Sequence, residues 1–107
     1  MTDDRYHLLA LSGDCSIKAA ETVAAQLREA LPRHKRLAIA TAGITEADLT
    51  TAQLLLAAQA SAAASGGAVA LVEPLGAPLR DFLLAAGLCG PAGMEFWTTT
   101  ISAAEAA

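Results

Sequence analysis

The stretch Ile39-Ala40-Thr41-Ala42-Gly43-Ile44-Thr45-Glu46-Ala47-Asp48-Leu49-Thr50-Thr51-Ala52 decides the fold. Its front half, with Leu37 and Ala38 before it, is a short apolar run of the kind that forms a buried strand. Gly43 is expected to turn the chain. Asp48 then has the chemistry of a helix N-cap, because its carboxylate can accept from the backbone N–H of Thr50 or Thr51. A strand that feeds a helix across a short connection is the repeating unit of an α/β domain.

Reading outward, the same unit recurs on both sides. Tyr6-His7-Leu8-Leu9-Ala10-Leu11 reads as a buried strand ended by Ser12-Gly13-Asp14. Ser16 is placed to cap a helix whose stripe is Ile17, Ala20, Val23, Ala24, Leu27 and Leu31, with Pro32 stopping it. After Asp48, the residues Ala52, Leu55, Leu56, Gln59 and Ala63 mark one helical face, and Gly66-Gly67 ends it. Ala68–Val72 is continuous enough in its apolarity to be a strand covered on both faces. Pro78 suits a first helical turn; Leu79, Phe82, Leu83 and Ala86 supply the stripe, and Gly87-Leu88 a Schellman ending. Met94–Thr98 reads as a last strand, and Ser102 as the cap of a short helix that frays at the C-terminus. Strands alternating with helices predict a mostly parallel, four- to five-stranded sheet with helices packed on it.

Composition limits what such a domain does. The chain has 107 residues, 54% of them hydrophobic and 17% charged, which predicts one packed domain with a core over about 6–100. Roughly a quarter of the residues are alanine, which favours helix and close packing. Net charge is −4, with one Trp, one Tyr and two Phe. Nucleic-acid binding needs clustered cations and stacking aromatics, and neither is present in quantity. The run Arg33-His34-Lys35-Arg36 reads as a solvated strand entrance. The acidic start Met1-Thr2-Asp3-Asp4 does not read as a signal peptide, and no apolar run reaches the length of about 20 residues expected of a membrane span. These features predict a cytoplasmic protein with two free thiols, Cys15 and Cys89.

Few residues carry reactive chemistry. Neither a phosphate-cradling glycine loop nor a nucleophile elbow is present. His7 and His34 lack the spacing of metal ligands, Cys15 and Cys89 form no zinc pattern, and His7 reads as a partly buried strand residue. Cys15, just before a helix start, is the one candidate nucleophile for a small thiol enzyme, and it lacks a recognisable base. Cys89 reads as an apolar filler. Asp14, Glu46 and Asp48 follow strands, at the end where open α/β sheets place their sites. They are an acid/base set only if a pocket joins them.

The order strand, Gly43, Asp48, Thr50, Gly66-Gly67 resembles the signature of the STAS domains, the anti-sigma-factor antagonist family. Gly13-Asp14-Cys15-Ser16-Ile17 resembles that family's first turn into its first helix, particularly in a compact bacterial subgroup found with chemotaxis proteins and phospholipid-transport ATPases. Leu71-Val72-Glu73-Pro74 through Gly87-Leu88 resembles its later strand and helix. Departures are Leu49, where Ser or Thr often follows the Asp, Thr51 in place of a Gly, and Ala40 in place of an acidic residue. The family's usual extra N-terminal strand has almost no room before Tyr6. The resemblance implies a binding module without catalytic residues, metal or cofactor. Its partner would be an anti-sigma-type kinase, a chemotaxis protein or a transporter ATPase, and the module itself a monomer or weak homodimer. The implied contact residues are Asp14, Ser16, Glu46, Asp48, Leu49, Thr50, Thr51 and Gln53. The implied phosphorylation candidates are Thr50, which matches a phosphorylated position in some members, and its neighbour Thr51.

Overall fold

A computed structural model describes residues 6–88, 95–98 and 100–102. Strand β1 (His7–Asp14) leads through a 3-10 turn (Ile17–Ala19) into α1 (Ala20–Ala30). Then follow β2 (Arg36–Glu46), α2 (Leu49–Ala64), β3 (Ala68–Val72), α3 (Ala77–Ala85), a single helical turn α4 (Glu95–Thr98) and β4 (Thr100–Ile101). The four strands are all parallel and lie in the order β1-β2-β3-β4. Each strand thus neighbours the next in sequence. Right-handed crossovers then place the connecting helices on one face of the sheet.

The core lies between that face and the helices. Leu11, Leu37, Ile39, Val69 and Leu71 from the strands meet Val23, Leu27, Leu55, Leu79 and Leu83 from the helices. Period-two alternation sends Ala38 and Val72 to the opposite face, where they form a second, smaller cluster with Tyr6, Ala40 and Ile101. Both expected glycine endings form. Gly66 takes φ +79°, and the N–H of Gly67 reaches the carbonyl of Ala62 at 2.8 Å. The N–H of Leu88 reaches Leu83 at 2.8 Å.

Several expectations require correction. Gly43 does not turn the chain: β2 continues through it to Glu46, and β1 continues through Ser12-Gly13 to Asp14. The two extensions pair with each other, Ser12 with Gly43 and Asp14 with Glu46, across two register shifts. Turn-prone residues stay in strand here because a parallel neighbour satisfies their backbone groups. β1 is not buried but forms one edge of the sheet, so His7, Leu8 and Ala10 are exposed. Ile17 leaves the stripe of the first helix, because the 3-10 turn points it outward. Ala63 and Ala86 are exposed where core was expected, and Ala58, Ala62 and Ala30 take core positions. The last strand lies at Thr100–Ile101, after a helical turn at Glu95–Thr98. Cys89, Met94 and the short C-terminal helix expected after Ser102 fall outside the described residues.

Candidate functional site

The paired extensions of β1 and β2 carry a polar cluster beyond the C-terminal edge of the short strand β3. Asp14 and Glu46 are strand partners at the tip. The backbone N–H of Cys15 donates to the carbonyl of Glu46 at 3.0 Å, which holds the chain as it leaves the sheet. Asp14 then folds back on its own turn. Its Oδ1 accepts from the Ser16 N–H at 2.8 Å and from the Ser16 hydroxyl. Those two bonds, the hydroxyl first, hold the Asp14 carboxyl below its ordinary range. Lys18 lies across the tip, its Nζ 3.3 Å from Glu46 Oε2 and 3.8 Å from Asp14 Oδ2. The hydrogen bond to Glu46 is the main reason its ammonium is held above the usual lysine value.

Asp48 joins the two helix starts. As expected it caps α2, its Oδ1 accepting from Thr50 N–H at 2.9 Å and Thr51 N–H at 3.3 Å. Its other oxygen accepts from the N–H of Ile17 at 3.0 Å. One carboxylate thus satisfies donors from two segments 31 residues apart in sequence. Thr51 completes the capping box, its Oγ1 accepting from the Asp48 N–H at 3.0 Å and donating to the Cys15 carbonyl.

The sequence candidates therefore separate. Asp14, Glu46, Asp48, Leu49 and Thr50 come together at one end of the molecule, with exposed Gln53 one helical turn beyond Leu49. Thr51 joins them only from below. It is fully buried with its hydroxyl committed on both sides, so the expectation that it presents a hydroxyl for phosphorylation or contact is corrected. Ser16 is likewise buried under Asp14 and supports the surface without forming it. Thr50 is partly exposed.

Cys15 does not fit a thiol nucleophile. It is 1% exposed, and burial, then the Asp14 charge, pushes its thiol up from the ordinary value. His34 and His7 lie elsewhere, stacked with ring centroids 3.6 Å apart. Two residues of the surface escaped the sequence reading. Lys18 was legible from its i,i+4 spacing to Asp14. The spacing of Ile17 fits the helical stripe and predicts a core position that it does not take.

A cleft of about 610 Å³ occupies a different part of the molecule, with Arg28, Arg33, His34, Lys35, Ser61 and Ser65 among its lining. It gathers the ends of α1 and α2, so these cations complement carbonyl-rich helix C-termini. Arg33, His34 and Lys35 have a structural account in that placement, while Arg36 opens β2 with its guanidinium over the Tyr6 ring.

The family model described as "Mlab, STAS domain" matches residues 2–94. None of the curated protein sequences matches the chain. Among solved structures, the unphosphorylated form of the anti-sigma factor antagonist SpoIIAA superposes with a TM-score of 0.62 at 15% sequence identity. The match covers 95% of this chain and 84% of that one. The likeness is one of fold, a parallel sheet with helices packed on it.

Proposed function

Because this chain belongs to the STAS domain family, we propose that it is a single-domain regulatory module that binds another protein through the Asp48 surface. Catalysis has no part in this reading. The partner is a kinase of the anti-sigma type or a transporter ATPase, met in the cytoplasm. The observation that carries the reading is the Asp48 clamp. It holds two helix starts rigidly together, and a surface ordered before binding loses little entropy on docking.

Thr50 is the switch residue in this reading. It is partly exposed in the first turn of α2, while Thr51 is withdrawn into the core. A phosphate on Thr50 adds about −1.5 to −2 charge at neutral pH. The helix N-terminus tolerates an anion, so the domain stays folded. The charge acts on the docked partner by repulsion and desolvation. Incubation with an anti-sigma-type kinase and ATP is expected to place phosphate on Thr50, read by mass spectrometry. Persistent absence of label would count against the switch.

A second reading keeps the docking and drops the switch: a constitutive adaptor in a chemotaxis or phospholipid-transport complex. It is favoured by Leu49, an exposed aliphatic directly after Asp48, where Ser or Thr is common in the family. Here binding survives Thr50→Ala, no phosphate accumulates, and a bulky charge on α2 such as Thr50→Glu disrupts the complex.

A further inference from the structure

We infer that Ile17 and Leu49 are paired apolar anchors of the docking surface, and that they seat in an apolar socket rimmed by Lys or Arg on the partner protein. The inference rests on the docking reading above and names the chemistry of the partner.

The described residues include four large hydrophobic side chains that are exposed, Leu8, Ile17, Leu49 and Leu84. Ile17 is the most exposed at 68%, and Leu49 stands at 55%. These two flank one group: Asp48 accepts from the N–H of Ile17 and immediately precedes Leu49. The clamp therefore sets their backbones together on a floor made of buried Cys15, Ser16 and Thr51. Scattered exposed aliphatics need no explanation, but two whose backbones are tied to one carboxylate have the form of an interface core. Each leaves more than half of its surface in solvent.

Charge defines what surrounds the socket. Asp14, Glu46 and Asp48 crowd the same end, and among the described residues Lys18 is the cation paired with them. The immediate field is negative, as is the chain as a whole at −4. A partner whose apolar socket were bordered by carboxylates would be repelled, whereas a cationic border is attracted and fixes the register. The apolar pair supplies affinity that salt does not screen, and the carboxylates supply steering that it does.

The test uses the intact protein as bait in native cytosol. The captured protein is identified and purified, and its binding is then titrated against variants. Each of Ile17→Ser and Leu49→Ser is expected to weaken binding about tenfold, and the pair about a hundredfold. Leu84→Ser, an equally exposed aliphatic outside the cluster, should bind like wild type, and circular dichroism should find every variant folded. Association should slow between about 0.05 and 0.5 M salt while most of the affinity remains.

Loss of binding in Thr50→Glu with none in Ile17→Ser or Leu49→Ser would overturn the anchors and leave the docking reading standing. Wild-type binding by all of these variants, or a bait that captures nothing, would overturn both. A wild-type dimer that dissociates on Ile17→Ser or Leu49→Ser would make the occupant a second copy and overturn the cation-rimmed partner.

Discussion

The carboxylate of Asp48 accepts a hydrogen bond from the backbone N–H of Ile17 at 3.0 Å while its other oxygen caps α2. A residue that would ordinarily end one helix therefore also fixes the entry to another. Asp48→Ala should leave three backbone donors without their acceptor and destabilise the domain by about 2 kcal/mol. Asp48→Asn keeps two acceptor lone pairs and should lose about half as much. Urea unfolding checks both values, and an unchanged midpoint for Asp48→Ala would mean that water replaces the clamp.

Thr51 lies in the same network but on its buried side. Thr51→Val keeps the shape and orphans the Cys15 carbonyl and the Asp48 N–H, so it should be destabilising by about 1–3 kcal/mol. Thr51→Ser should be close to neutral apart from the lost methyl. In a kinase reaction, phosphate should map to Thr50 and never to Thr51 while the domain is folded. A peptide carrying label at position 51 would show that the first turn of α2 opens readily.

The entry to α3 depends on a close backbone approach. A Cβ on Gly76 would stand 2.1 Å from the carbonyl oxygen of Thr41, while the Gly76 N–H donates to the Thr41 hydroxyl at 3.0 Å. Gly76→Ala should therefore push α3 off β2 and destabilise by about 3 kcal/mol. A loss under about 1 kcal/mol by thermal or chemical unfolding would show that the loop relaxes freely.

His34 gives the fold a pH dependence at the other end of the molecule. Desolvation first, then the charges of His7 and Arg33, lowers its pKa below 6.5, the ordinary histidine value. A histidine whose folded pKa is depressed stabilises fully above the unfolded value. That contribution fades as pH falls from about 6.5 through the folded pKa, because the unfolded chain takes up the proton more readily. The urea midpoint should fall between pH 8 and pH 5.5, and His34→Gln should flatten that part of the slope. An identical slope in the variant would assign the effect to other groups.

The sequence determined several elements whose signal is local, although the strand read at Met94–Thr98 is a helical turn over Glu95–Thr98. Asp48 as a cap, Gly66 and Gly87 as helix endings and Ala68–Val72 as a strand all follow from neighbours within about five residues, and all are found. The parallel order follows from alternation of strand and helix with short connections. What tertiary structure alone decided was the fate of residues whose local tendency could be outvoted by a distant partner. Gly43 and Gly13 read as breakers and became strand, because β1 and β2 could satisfy each other's backbone groups past the end of β3. Ile17 fits the apolar stripe of its helix, and its N–H is held by a carboxylate 31 residues away while its side chain faces outward. Thr50 and Thr51 are adjacent and chemically alike. Helical geometry turns one toward solvent and the other onto the Cys15 carbonyl, and nothing short of the packed structure distinguishes them.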